Sequence, residues 1–159
     1  MAVEMRIKGL MIDPVSNMPI IILKTPEGSS VLPIWVGIFE ANAIAMQLEE
    51  IVSPRPMTHD LLKSVIDNLQ ARVTRVVITD LKDNTFFASI HLDRNGGSLT
   101  IDARPSDAMA LALRTKSPIF VESQVLERSA SADDDSDETE RLRKWLETVD
   151  PEELGKYEM

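Results

Sequence analysis

Leu32–Gln47 reads LPIWVGIFEANAIAMQ, and Leu99–Arg114 reads LTIDARPSDAMALALR. Laid one on the other without a gap, Leu32 falls on Leu99, Ile34 on Ile101, Glu40 on Asp107, Ala41 on Ala108, Ala43 on Ala110, Ile44 on Leu111, Ala45 on Ala112 and Met46 on Leu113. Each stretch is an apolar strand, a short turn, an acidic residue and a helix with small residues at every second place. The two read as copies of one unit. Their Ala-rich faces permit close approach, so the two helices are expected to pack together near a pseudo-twofold axis, with Glu40 and Asp107 as neighbours.

The same plan extends outward from each copy. Glu4–Ile12 alternates charged and apolar residues, and Met18–Lys24 is a more apolar run; together they read as a hairpin. Ser30–Val36 is a third strand, placed at an edge or a bulge by Pro33. Helix formers run from Phe39 to Ile51, with Ala41, Ile44, Ala45 and Leu48 on one face. Pro54 and Pro56 then break the chain, and Thr58 is expected to cap a helix over Asp60–Gln70 whose apolar stripe is Leu61, Leu62, Val65, Ile66 and Leu69. In the second half, strands Arg72–Leu81, Thr85–Leu92 and Ser98–Ala103 turn at Asp83-Asn84 and at Asn95-Gly96-Gly97. A helix over Pro105–Thr115 follows, and Phe120–Arg128 reads as a last short helix. The expected fold is α+β, a mixed sheet (or sheets) with helices, built from two duplicated three-strand-plus-helix units.

At 159 residues and 43% hydrophobic, the chain can bury a real core as one domain. The absence of cysteine excludes a Cys zinc site and a thiol nucleophile. Neither a signal peptide nor a run of the roughly 20 apolar residues that cross a bilayer is visible, so the expected location is the cytoplasm, with no membrane partner. The net charge of −9 argues against binding nucleic acid by overall charge, but its distribution matters more. Residues 133–159 hold 11 of the 26 acidic residues and 4 of the 17 basic ones, a net of −7, which leaves residues 1–132 near neutral at −2. Residues 1–128 read as the domain, 129–138 as an acidic linker, and 139–159 as an acidic tail. In that tail Leu142, Trp145, Leu146 and Val149 are spaced as a short amphipathic helix. The tail either docks loosely on the body or a partner, or mimics nucleic acid and covers a basic site. The apolar strands and the edge at Pro33 imply a homo-oligomer, with a dimer favoured.

The segments LPIWVGIFEANAIAMQLE (Leu32–Glu49), RPMTHDLL (Arg55–Leu62) and DARPSDAMALALR (Asp102–Arg114) closely resemble the bifunctional nuclease family of bacteria and plants. The resemblance covers about residues 3–128, and three separated motifs in one order carry it. It implies the same duplicated α+β architecture and a nuclease acting on both DNA and RNA. Phosphodiester hydrolysis needs an activated water, neutralisation of phosphoryl charge and a proton for the leaving oxygen. The matching motifs supply Glu40, His59 and Asp107 as candidate catalytic residues; Arg104, Arg55 and Arg114 as substrate contacts; and Glu40, Asp107 and Asp60 as ligands for Mg²⁺ or Mn²⁺.

Each candidate also has a structural explanation. Glu40 and Asp107 sit in first helical turns, where a carboxylate stabilises the dipole by about 0.3–1 kcal/mol. His59, at a helix start, is the first candidate for proton transfer; His91 lies in a strand, and no two-His metal site is expected. Arg104 could meet a phosphate beside free backbone N–H groups, or pair with Asp107 or Glu40 to hold the two units together. Arg114 lies where a helix dipole alone favours a cation. No Gly-rich phosphate loop or aromatic-basic stripe is present, and Trp35, Phe39 and Phe86 or Phe87 read mostly as core, so weak substrate binding aided by a metal is expected. The rival function is a non-enzymatic regulatory or scaffold protein in which these charges form a structural network.

Overall fold

The computed structural model describes residues 1–133. β1 (Ala2–Ile12), β2 (Pro19–Lys24) and β3 (Val31–Trp35) form an antiparallel meander that runs into α1 (Ile38–Leu48), and α2 (Thr58–Asn68) follows. β4 (Ala71–Lys82), β5 (Thr85–Arg94) and β6 (Gly97–Ala103) form a second meander that runs into α3 (Pro105–Thr115). β7 (Ile119–Glu122) and α4 (Ser123–Asp133) come last. The seven strands make one mixed sheet in the order β3-β2-β1-β7-β4-β5-β6. β7 is the joint between the meanders, antiparallel to β1 and parallel to β4.

The hairpins follow from local chemistry. Asp83 and Asn84 take φ values of 50° and 62°, so β4 and β5 are joined by a two-residue turn whose twist matches that of the strands. Alternation then separates two faces. Val76, Ile78, Ile90, Leu92, Ile119 and Val121 point toward the helices and are buried, while His91 points the other way. α3 is the centre of the core: Ala108, Met109, Ala110 and Leu111 are inaccessible to solvent, and the helix packs on α1, α2, β4 and β5. Alanine on both α1 and α3 is what lets their backbones approach.

The structure departs from the sequence expectations at β7, α4, α2 and α1. Phe120 does not open a helix; Ile119–Glu122 is a strand because Ile119 and Val121 fill the slot between β1 and β4, and the helix starts only at Ser123. That helix continues past Arg128, with Ser129 buried, while residues 134–159, including the rest of the acidic linker and the expected tail helix, lie outside the described residues. Thr58 is the first residue of α2, not its cap; the carboxylate of Asp60 accepts the Met57 backbone N–H at 3.0 Å instead. The stripe expected to be core on α2 is largely solvent-facing: Ile66 packs inward, but Leu61, Leu62, Val65 and Leu69 are exposed and His59 is buried in their place. Leu48 of α1 is likewise exposed, and Ala43 takes its place in the core. Among the described residues no helix is long and apolar enough to cross a membrane.

Because α3 has no free volume around Ala108, Ala108→Leu is expected to lower unfolding free energy by about 1–3 kcal/mol in a urea titration.

Candidate functional site

Three helices begin at one place, and each contributes a carboxylate from its first turn. α3 opens with Pro105, whose missing N–H costs nothing at a first helical position, and presents Asp107. α1 opens after Gly37 and presents Glu40, whose carboxylate folds back over Gly37 into the space a Cβ would occupy. α2 presents Asp60, and beside it His59.

Packing α1 and α2 on α3 joins Glu40, Asp107 and His59, but not Asp60, into a hydrogen-bonded chain through Arg104. The Arg104 guanidinium donates from Nε to Asp107 Oδ2 at 2.8 Å and from Nη2 to Glu40 Oε1 at 2.8 Å. The other oxygen of Asp107, Oδ1, lies 2.9 Å from His59 Nε2. Both ion pairs anticipated for Arg104 are therefore made at once, and they hold its charge firmly, Asp107 foremost and then Glu40. The burial of the members differs sharply. The His59 side chain is 10% exposed and that of Arg104 66%, so the chain runs from the protein interior to solvent.

Arg114 belongs to a second cluster. Its side chain is only 5% exposed; Nε donates to Asp60 Oδ1 at 2.7 Å, Nη1 to Ala110 O at 2.9 Å and Nη2 to Ala43 O at 3.1 Å. Its position at the end of α3 is thus not explained by the dipole alone: the guanidinium faces inward and ties α1, α2 and α3 together. Asp60 is held below the usual carboxylate range, by the Met57 N–H first and then by Arg114. Arg55 is exposed on the loop before α2 and makes no hydrogen bond or ion pair among the described residues. His91, on the far face of the sheet, is pushed down by burial and by Arg75.

As arranged, the donors do not fit a divalent cation. Asp107 and Glu40 both face the Arg104 guanidinium, Asp60 faces Arg114, and no group of three or more His, Asp or Glu side chains converges among the described residues. The arrangement suits proton transfer and anion contact better. A carboxylate on one imidazole nitrogen fixes the ring and leaves Nδ1, which has no partner among the described residues, to exchange a proton. Of the aromatics expected mostly as core, Trp35 and Phe87 are 38% and 40% exposed, and Phe39, 86% exposed, stands next to Glu40. Helical phase gives it away, since two residues on, Ala41 is roughly on the opposite side of α1 and fully buried.

Two stability experiments follow from the difference in burial. Arg114→Ala is expected to cost about 2–4 kcal/mol, because Ala43 O and Asp60 lose their donors, whereas the solvent-screened Arg104→Ala should cost under about 1 kcal/mol. Thermal or urea unfolding of both variants measures the contrast. Asp60, with its folded-state pKa depressed, contributes stability that is full above the unfolded value of about 3.9 and is lost as pH falls through the lower folded value. Asp60→Asn should flatten the acid limb of the stability curve in that window.

A family model described as the bifunctional nuclease domain matches residues 21–134. An uncharacterised protein of Mycobacterium tuberculosis is 36% identical over 95% of this chain and 97% of its own length. Bifunctional nuclease 1 of Oryza sativa subsp. japonica is 29% identical over 66% of this chain, and bifunctional nuclease 1 of Arabidopsis thaliana is 30% identical over 65%. In both plant proteins the match spans 33% of the relative's length. The Leu32–Glu49, Arg55–Leu62 and Asp102–Arg114 motifs, whose helix starts build the His59–Asp107–Arg104–Glu40 chain, fall within the matched region, and this chain belongs to the bifunctional nuclease domain family.

Proposed function

We propose that the protein is a cytoplasmic nuclease that hydrolyses phosphodiester bonds of DNA and RNA with little sequence specificity. The observation that carries this reading is one carboxylate, Asp107, bonded on one side to a buried imidazole and on the other to an exposed guanidinium. Asp107 orients His59, and Nδ1 takes the proton of a water as its oxygen attacks phosphorus. The P–O bond to the leaving oxygen then breaks, and that oxygen takes a proton from His59 or solvent. Arg104 has Nη1 uncommitted and faces the charge that builds on the phosphoryl oxygens.

The balance of charge explains why binding should be weak. Glu40 and Asp107 outnumber Arg104, so the approaching phosphate is attracted little by net charge. Affinity must come from elsewhere, and Phe39 and Arg55 are exposed nearby to stack a base and to meet a neighbouring phosphate. No step in this scheme passes through a metal.

A second reading, a non-enzymatic regulatory or scaffold protein, is favoured by the fact that Arg104 spends two donors on carboxylates of different helices. The two readings separate in an assay of highly purified protein on end-labelled single-stranded DNA and RNA, with and without EDTA. The nuclease reading predicts cleavage that persists in EDTA and falls about 100-fold or more in His59→Gln and Asp107→Asn variants that keep their circular dichroism. No cleavage by the wild type, or equal cleavage by both variants, would favour the scaffold; loss in EDTA would contradict the metal-free scheme.

A further inference from the structure

The sheet has two edges, and they are protected unequally. β3 is five residues long and carries Pro33, both devices that discourage pairing with another strand. β6 is seven residues long and pairs with β5 in unbroken register from Gly97 to Ala103, with no proline, lysine or bulge. Its outer edge is open among the described residues.

The side chains of β6 point the same way. Leu99 lies opposite Leu92 and Ile101 opposite Ile90; these partners are buried in the core, yet Leu99 and Ile101 remain 49% and 48% exposed. They continue the core-facing surface beyond the last strand and stay half-exposed, with no further strand beside them among the described residues. On that same side of the sheet, α2 exposes Leu61, Leu62, Val65 and Leu69, a stripe without a charged residue.

We infer that two copies of this chain pair antiparallel along β6, about a twofold axis through Thr100, with their α2 stripes on the same side of the joined sheet. In this register Leu99 meets Ile101 of the second copy on the core-facing side. Asp102, the one charged residue of β6, meets Ser98 and not its own equivalent. Charge also selects the occupant. The body, residues 1–132, carries a net of only −2 and repels a second body little, whereas residues 133–159 carry −7 and would bring further negative charge against Asp102. The inference does not depend on the nuclease reading.

The absence of cysteine makes the register testable by cross-linking the full chain. Thr100→Cys places one thiol opposite its equivalent, about 4.5–5.5 Å between Cα atoms, within disulfide range. Ser98→Cys leaves its thiols about 13 Å apart along the strand. Under mild oxidation Thr100→Cys should become a covalent dimer at least tenfold faster than Ser98→Cys, and the wild type should sediment at twice the chain mass. Ile101→Lys should sediment at the single mass with unchanged circular dichroism. A wild type of single mass, or equal cross-linking of the two cysteine variants, would overturn the pairing.

Discussion

Asp107 is the constraint on which the site depends. One oxygen receives His59 and the other Arg104, and Arg104 in turn holds Glu40, so a single carboxylate relates α1, α2 and α3. Its placement is a backbone matter before it is a chemical one. Pro105 starts α3, the first turn puts Asp107 beside Arg104, and the alanines of α3 let the other two helices close on that end. Arg114 makes the arrangement rigid from below, anchoring the start of α2 to the far end of α3 through Asp60.

Most of the fold was legible because its signals are local. Strand alternation, the Asp83-Asn84 and Asn95-Gly96 turns and the proline at the head of α3 each name an element without reference to the rest of the chain. What local pattern could not supply was burial. The α2 stripe has the spacing of a core face, but the helix is held at its N-terminus by His59 and Asp60, and those two bonds turn Leu61, Val65 and Leu69 outward. Phe120 failed for a related reason: a four-residue strand in the middle of a sheet is defined by its neighbours β1 and β4, which are remote in sequence.

The candidate site was legible as a set of residues and not as an arrangement. Glu40, His59, Arg104 and Asp107 could be picked out, but only the packing shows that they share bonds, that Asp60 and Arg114 form a separate buried cluster, and that the carboxylates face guanidinium groups. The mirrored placement of the two meanders about β7 puts α1 and α3 side by side, as the matched stretches at Leu32 and Leu99 anticipate.

The central claim, that Asp107 builds a phosphodiester site from His59 and Arg104, can be tested without catalysis. Nitrogen-15 spectra of the imidazole and guanidinium groups, recorded while a non-hydrolysable phosphorothioate oligonucleotide is added, report on the site directly. The account predicts saturable shifts at the His59 ring nitrogens and Arg104 Nε, with Arg114 Nε unmoved and all shifts lost in Asp107→Asn. Shifts confined to other residues, or unchanged by that substitution, would contradict it.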